Sequence, residues 1–425
     1  VSDIDVTRPA GATDAAGAGD EQPPGYEQGP VFPVLDTLRA IGALAVVSTH
    51  VAFWSGDYLG NGVWGTLLSR MDVGVALFFV LSGFLLARPY LARAQARRVA
   101  PPLGRYYAKR LLRIYPVYAV TVVLALLLVD DNAGAGAGGW LRALLMVDIY
   151  TSPELPHALT QMWSLAVEVS FYAVLPAVVL MMVGRSGPLR PRRVLAVLAA
   201  LCVVSFAWHL GVADLLASSS SGVPLTWLPG YLTWFAVGIA LALAHVLAQD
   251  ADRTSTEPPA MVRFLRTLGS MPGACWTLAA GLLLVAATPL AGPSLLFIAT
   301  PGESLVKHLL YAAVGGLVVL TGIFASPGYE RAMSTRATRH LGHISYGVFC
   351  IHLPLITAIV SVTGFDVFAG DFAELWVLTV ACSLVAAELL HRLVELPAMR
   401  LLRPRRQDLD GSAPSAQPQS ATTSS

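Results

Sequence analysis

Long apolar runs alternate with short charged stretches along this chain, and ten of the runs can cross about 30 Å of hydrocarbon as helices. They cover residues 34–55, 72–90, 113–130, 160–183, 194–210, 226–247, 273–290, 304–325, 342–363 and 372–394. The fifth and seventh are the weakest, being short and interrupted by polar or helix-breaking residues. The pattern predicts an all-α polytopic membrane protein of about ten transmembrane helices. It divides the chain into a polar, Gly- and Pro-rich disordered segment over 1–30, a membrane domain over 31–403 and a disordered tail over 404–425. Within the long connection 130–159, WLRALLMVDIY is too short to span and reads as an interfacial helix with aromatic ends.

Composition excludes the alternatives. The chain is 55% apolar and 13% charged, with a mean hydropathy of +0.62, against about a quarter charged for a soluble domain. A soluble enzyme, a disordered chain and a fibrous one are all ruled out. Cys202, Cys275, Cys350 and Cys382 lie in apolar runs without CxxC spacing and read as packing residues, not disulfides or metal ligands. Nothing resembles a cleaved signal peptide. No zinc spacing, flavin motif or nucleotide-binding loop is present, so no metal, permanently bound cofactor or nucleic-acid partner is expected. Ser82–Gly83 and Gly315–Gly316 read as small-residue packing contacts.

The net charge of +1 conceals a strong asymmetry. With the connections assigned alternately to the two sides, 24 of the 28 Lys and Arg residues fall on the side of the N-terminus. Eight lie between Arg88 and Arg113 alone. The other side holds only Arg70, Arg142 and Lys307, while Arg39 sits within the first run. The positive-inside rule then places both termini in the cytoplasm of a multi-pass inner (plasma) membrane protein.

Ionisable residues inside a span are costly and need a reason. Arg39 and His50 are eleven residues apart in the first run, within about 20° of the same helix face and about 16 Å apart along the axis. A lone His often only packs, but a His in line with an intramembrane Arg suits a general base. Asp36, three residues before Arg39, can simply neutralise it. Arg110 and Arg113 share a face at the basic end of the third run. They are interfacial anchors or, as guanidinium forks, phosphate binders. Ser164 and Glu168 stand one turn apart in the fourth run, where Glu168 serves either charge neutralisation or catalysis. Ser345 and His352 line up on the ninth run, and Pro354 frees a backbone carbonyl there and can kink the helix.

LDTLRAIGALAVVSTH, FFVLSGFLL, YYAKRLLRIYPVY, WSLAVEVSFYAVLP and ISYGVFCIHLPL follow one another across the chain. In that order they resemble the membrane-bound acyltransferase family 3, bacterial O-acyltransferases acting on surface glycans, exopolysaccharides and macrolides. The resemblance implies ten helices and acyl-CoA as donor co-substrate. It assigns His50, with Arg39, to acyl transfer, and Arg110 and Arg113 to the nucleotide or pyrophosphate portion of the donor. Arg113, deeper in the membrane, is expected to matter more. Trp163, Ser164 and Glu168 match the family's Trp-Ser-Leu-x-x-Glu stretch, with Glu168 joining the catalytic set. Ser345, Tyr346 and His352 match its last marker. The VSFY after Glu168 departs from the usual pattern and leaves that carboxylate's partner open. No further domain is expected after the tenth run, which tilts the expected acceptor toward a small secreted metabolite such as a macrolide over an envelope glycan. The rival reading of the same polar residues is a proton-coupled transporter or flippase, against which the lack of an internal repeat counts.

The charge asymmetry generates the first prediction. A reporter fused after residue 425 reads as cytoplasmic, and activity of an exported reporter there overturns the even topology.

Overall fold

Every one of the ten apolar runs contains a helix. These are α1 Pro33–Ser55, α2 Val73–Gln95, α3 Leu103–Leu128, α4 Met162–Val183, α5 Pro191–Ala207, α6 Leu228–Thr254, α7 Pro272–Ala286, α8 Pro301–Ile323, α9 Arg336–Thr363 and α10 Phe372–Leu390. The computed structural model describes residues 31–99, 101–184, 188–294 and 299–401, and these contain no strand. The segments expected to be disordered, 1–30 and 404–425, lie outside the described residues.

The two weak runs are where the helices depart from simple spans. α5 continues through a π-turn, Trp208–Val212, with Gly211 at a φ of 153°. α7 is only 15 residues long and meets a preceding amphipathic helix, Ala260–Gly269, at a bend of 91°. Among the described residues, nine segments are long and apolar enough to cross a membrane, and this bent pair passes the same test only when its two helices are taken together. The expected interfacial segment forms two short helices, Ala137–Leu144 and Asp148–Thr151.

α1 packs against α9, α10 and α2, with Ala43, Val47 and Val51 buried among Ile344, Val348, Leu375 and Ala387. α2 lies along α6, and α8 closes over both. Two of these approaches depend on glycine. A Cβ on Gly238 of α6 would collide with the backbone at Val80, and one on Gly342 of α9 would collide with the backbone of Asp36. Lipid tails are as apolar as the helix surfaces, so close backbone approach is the main source of attraction in such a bundle.

In hydrocarbon a backbone carbonyl cannot turn to water, so each proline inside a span creates a donor requirement. Pro354 leaves the Cys350 carbonyl free, and Gln161 Nε2 donates to it at 2.9 Å. α9 therefore runs unbroken through Pro354. Pro176 frees the Tyr172 carbonyl, which accepts from the Tyr106 hydroxyl at 3.1 Å. The three basic residues that break the charge asymmetry each have a local partner. Arg70 is buried and donates to the carbonyls of Pro293, Ala291 and Gly292. Lys307 pairs with Asp72 at 2.7 Å, and Arg142 with Asp148 at 3.6 Å.

The glycine contacts make a direct prediction. Gly342→Val forces α1 and α9 apart, and overpacking of this kind costs about 1–3 kcal/mol. Gly281→Val, on a face of α7 with nothing within 4 Å, costs far less. Detergent-solubilised melting temperatures compare the two, and equal melting would refute the close-approach account.

Candidate functional site

Between α1, α2, α3, α4 and α9 the bundle leaves a cavity of about 880 Å³. α4 supplies Ser164, Glu168 and Tyr172, spaced four residues apart and so stacked on one helix face. α3 supplies Arg110 and Arg113 from its basic end, α1 supplies Arg39, and α9 supplies Ser345 and Tyr346. Seven of the ten residues singled out in the sequence therefore line one space. Trp163 faces the other way, against Tyr231 of α6 with ring centroids 5.0 Å apart. His50 and His352 lie farther along α1 and α9 and are not among the lining residues.

The carboxylate of Glu168 has no basic residue bonded to it among the described residues. It accepts from the Tyr172 hydroxyl at 2.6 Å and from the Ser82 hydroxyl. Tyr172 is the tyrosine of the VSFY departure, so this sequence carries its own partner for the acid one turn away. Ser82 had read as packing. Its neighbour Gly83 does pack against the Phe235 backbone, while the hydroxyl itself serves the acid. Ser345 donates to the Gly342 carbonyl at 2.8 Å, and Tyr346 to the Ile114 carbonyl at 2.8 Å. The latter ties α9 to α3 beside the arginines.

The cations differ in how they are held. Arg39 bonds Asp36 at 3.2 Å, and the same carboxylate faces Arg339 at 3.6 Å and His343 at 3.7 Å. Asp36 thus neutralises more than its own helix. Arg113 pairs at 3.2 Å with Glu395, just beyond α10, which also bonds His391 at 2.8 Å. Arg110 lies over the Tyr172 ring, 5.9 Å from its centroid, and its Nε is buried without a partner. Of the two forks, Arg110 is the one with no acidic partner among the described residues, while Arg113 gives one N–H to Glu395.

His50 and His352 form a directed pair. His352 Nδ1 lies 2.7 Å from the Phe349 carbonyl, and His50 Nδ1 lies 2.9 Å from the Val46 carbonyl. A carbonyl can only accept, so both Nδ1 atoms carry protons. His352 Nε2 is then a bare acceptor, 3.1 Å from His50 Nδ1. In the neutral ring the remaining nitrogen, His50 Nε2, keeps its lone pair free of these contacts. Phe349 links this pair to the cavity, since it lines the space and its ring lies 6.1 Å from that of His352.

Sequence reasoning missed Ser82, Tyr172 and Glu395. Glu395 carried a readable signal, an acid amid the basic residues that follow the tenth run. The serine carried none.

A family model described as an acyltransferase domain matches residues 32–390. The chain is 25% identical to the peptidoglycan O-acetyltransferase OatA of Listeria monocytogenes over 385 residues, covering 86% of this chain and 55% of that relative. It thus spans about half the length of that protein. It is 27% identical to the acyltransferase MdmB of Streptomyces mycarofaciens, over 88% of this chain and 93% of the relative. Nodulation protein 10 of Rhizobium leguminosarum bv. viciae is 26% identical, over 86% and 93%. No solved structure matches.

A double-mutant cycle checks the acid's environment. Ser82→Ala removes a hydrogen bond, worth about 0.5–1.5 kcal/mol, and is expected to be much milder in a Glu168→Leu background, where the acceptor is gone. Equal effects in both backgrounds would mean that the hydroxyl does not serve Glu168.

Proposed function

The chain belongs to this acyltransferase family, and from that premise we propose that it is an integral membrane O-acyltransferase. The donor is acyl-CoA carrying an acetyl or other short acyl group, and the acceptor is a hydroxyl of a sugar, surface glycan or macrolide-like metabolite. The observation that carries the reading is the directed His50–His352 pair, which leaves one uncommitted imidazole nitrogen beside a cavity lined by a guanidinium with a buried, unpaired N–H. The relative from Listeria is named a peptidoglycan O-acetyltransferase, which supports a glycan hydroxyl as acceptor.

Donor phosphates dock at the basic end of the cavity, taken to face the cytoplasm, against Arg110 and Arg113. In this reading Arg110 takes the larger share, against the order expected from depth alone, which the ion pair of Arg113 with Glu395 supports. The flexible thioester arm extends from there toward the His pair. His50 Nε2 takes the proton of the acceptor hydroxyl as its oxygen attacks the thioester carbonyl carbon. The carbon–sulfur bond breaks, the proton passes from His50 to the departing thiolate, and an ester and a free thiol remain. While His50 is charged, its Nδ1–H keeps two acceptors, the Val46 carbonyl and His352 Nε2. His352 is thus a positioning residue that holds the tautomer and supports the cation.

Release of CoA thiol from acetyl-CoA by the purified protein in nanodiscs tests the reading. His50→Ala is expected to insert and fold but release no thiol, and turnover above a few per cent of wild type would remove His50 from the chemistry. Arg110→Ala raises the apparent donor constant roughly 10- to 150-fold, the loss of one charge-assisted contact. Arg110→Lys recovers only part of it, because an ammonium lacks the fork. Full rescue by lysine would reduce Arg110 to a membrane anchor.

A further inference from the structure

At the other end of the bundle from Arg110 lies a second cavity, of about 480 Å³ including the space open to its mouth. It is formed where α2, α4, α6 and α8 begin, beside the π-turn that follows α5. One wall is aromatic. Tyr231 stands 5.0 Å from Trp163 on one side and 5.0 Å from Trp234 on the other. Beside these rings the lining is polar, with the Lys307–Asp72 pair at 2.7 Å and His308, whose ring stacks on Trp234 with centroids 4.7 Å apart.

The protonation of His308 follows from its neighbours. The single proton of the Ser205 hydroxyl goes to the Gly230 carbonyl at 2.6 Å. The Ser205–His308 contact at 3.3 Å must then be donated by His308 Nε2–H. This leaves His308 Nδ1 as a bare acceptor without a partner, on a residue only 2% exposed. Such a group is costly to bury unless something donates to it. The neighbouring His209 donates from Nε2 to the Gly230 carbonyl at 3.0 Å, and its Nδ1 lies 2.9 Å from the Ser304 hydroxyl.

We propose that this cavity is a recognition site for a single uncharged pyranose ring, with Trp163 and Tyr231 stacking against the ring's C–H face and His308, Asp72 and Lys307 meeting its hydroxyls. The charge balance favours a neutral ligand over a cation held by an aromatic cage, because Lys307 already neutralises Asp72. The site sits against the first cavity. Val75 lines both, Trp163 and Ser164 are successive residues facing one each, and Phe79, in the wall of the first, rings against Tyr231 at 5.7 Å. Resting on the transferase reading above, the site holds the acceptor sugar, which thus reaches the reaction from the end opposite the donor.

Saturation-transfer NMR on the full-length protein in nanodiscs, with methyl β-D-glucopyranoside and methyl N-acetyl-β-D-glucosaminide as probes and no donor present, tests the assignment. Ring C–H protons of at least one glycoside are expected to receive saturation. Tyr231→Ala is expected to weaken that binding roughly tenfold or more, the effect of removing one stacking platform, and Tyr231→Phe to retain it. Lys307→Met, which leaves Trp163 and Tyr231 in place, is expected to weaken it independently, so a failure of Tyr231→Ala to fold does not end the test. Absence of saturation in wild-type protein that still binds CoA overturns the proposal. So does a signal that survives both Tyr231→Ala and Lys307→Met, or preferential uptake of benzyltrimethylammonium. Glycoside binding is read without donor, so its loss counts against this cavity alone, while failure to cleave acetyl-CoA counts against the transferase reading.

Discussion

The close approach of α1 to α9 at Gly342 is the constraint on which the arrangement of polar groups depends. With no side chain between the Gly342 Cα and the Asp36 backbone, the two helices share one register along their length. At one end that register brings Arg339 and His343 to the Asp36 that also holds Arg39. Farther along, it brings His352 to His50. A wider spacing would part Asp36 from Arg339 and His343, and His50 from His352, leaving each group only the contacts within its own helix, at a cost in a medium where ionisable residues are rare. A packing contact thus supports the electrostatics at both levels.

A second economy runs through the backbone. The prolines of α4 and α9 each free a carbonyl, and the donors that meet them, Tyr106 and Gln161, come from other elements. Each proline therefore becomes a point of attachment between helices. Gln161 joins the start of α4 to α9, and Tyr106 joins α3 to α4, around the same cavity. Tyr346 adds the third side by reaching the Ile114 carbonyl of α3. The cavity is framed by side-chain-to-backbone bonds, which fix helix positions in lipid without requiring buried charge.

The spans were legible in the sequence because hydrocarbon thickness sets a minimum run length and the basic residues punctuate it. The seventh was only half legible, since a sharp bend between an amphipathic and an apolar helix looks, residue by residue, like a poor span. Individual polar residues of the cavity were legible because each is conspicuous in an apolar helix. Their partnerships were not. Glu168 and Tyr172 share a face and follow from periodicity, but Ser82 comes from another helix, and Glu395 reaches Arg113 from the far end of the chain. Trp163 shows the limit of reading a motif as a unit, because adjacent residues on a helix point about 100° apart and Trp163 and Ser164 face different cavities. The bare nitrogens of His50 and His308 were beyond any sequence reading, since each follows from which carbonyls happen to surround the ring.

The shortness of α7 has a consequence for the bilayer itself. Its 15 residues amount to about 22 Å of helix, well under the ~30 Å of hydrocarbon that its neighbours span. The preceding helix turns away by 91° and cannot extend it, while its exposed Met261 and Phe264 are suited to lie among acyl chains near the headgroups. Hydrophobic mismatch of this size draws the lipid surface inward along one flank of the protein. The elastic cost of that dimple grows with lipid length, so the protein is expected to partition into thinner regions of a mixed membrane and to be coupled mechanically to the lipids around it.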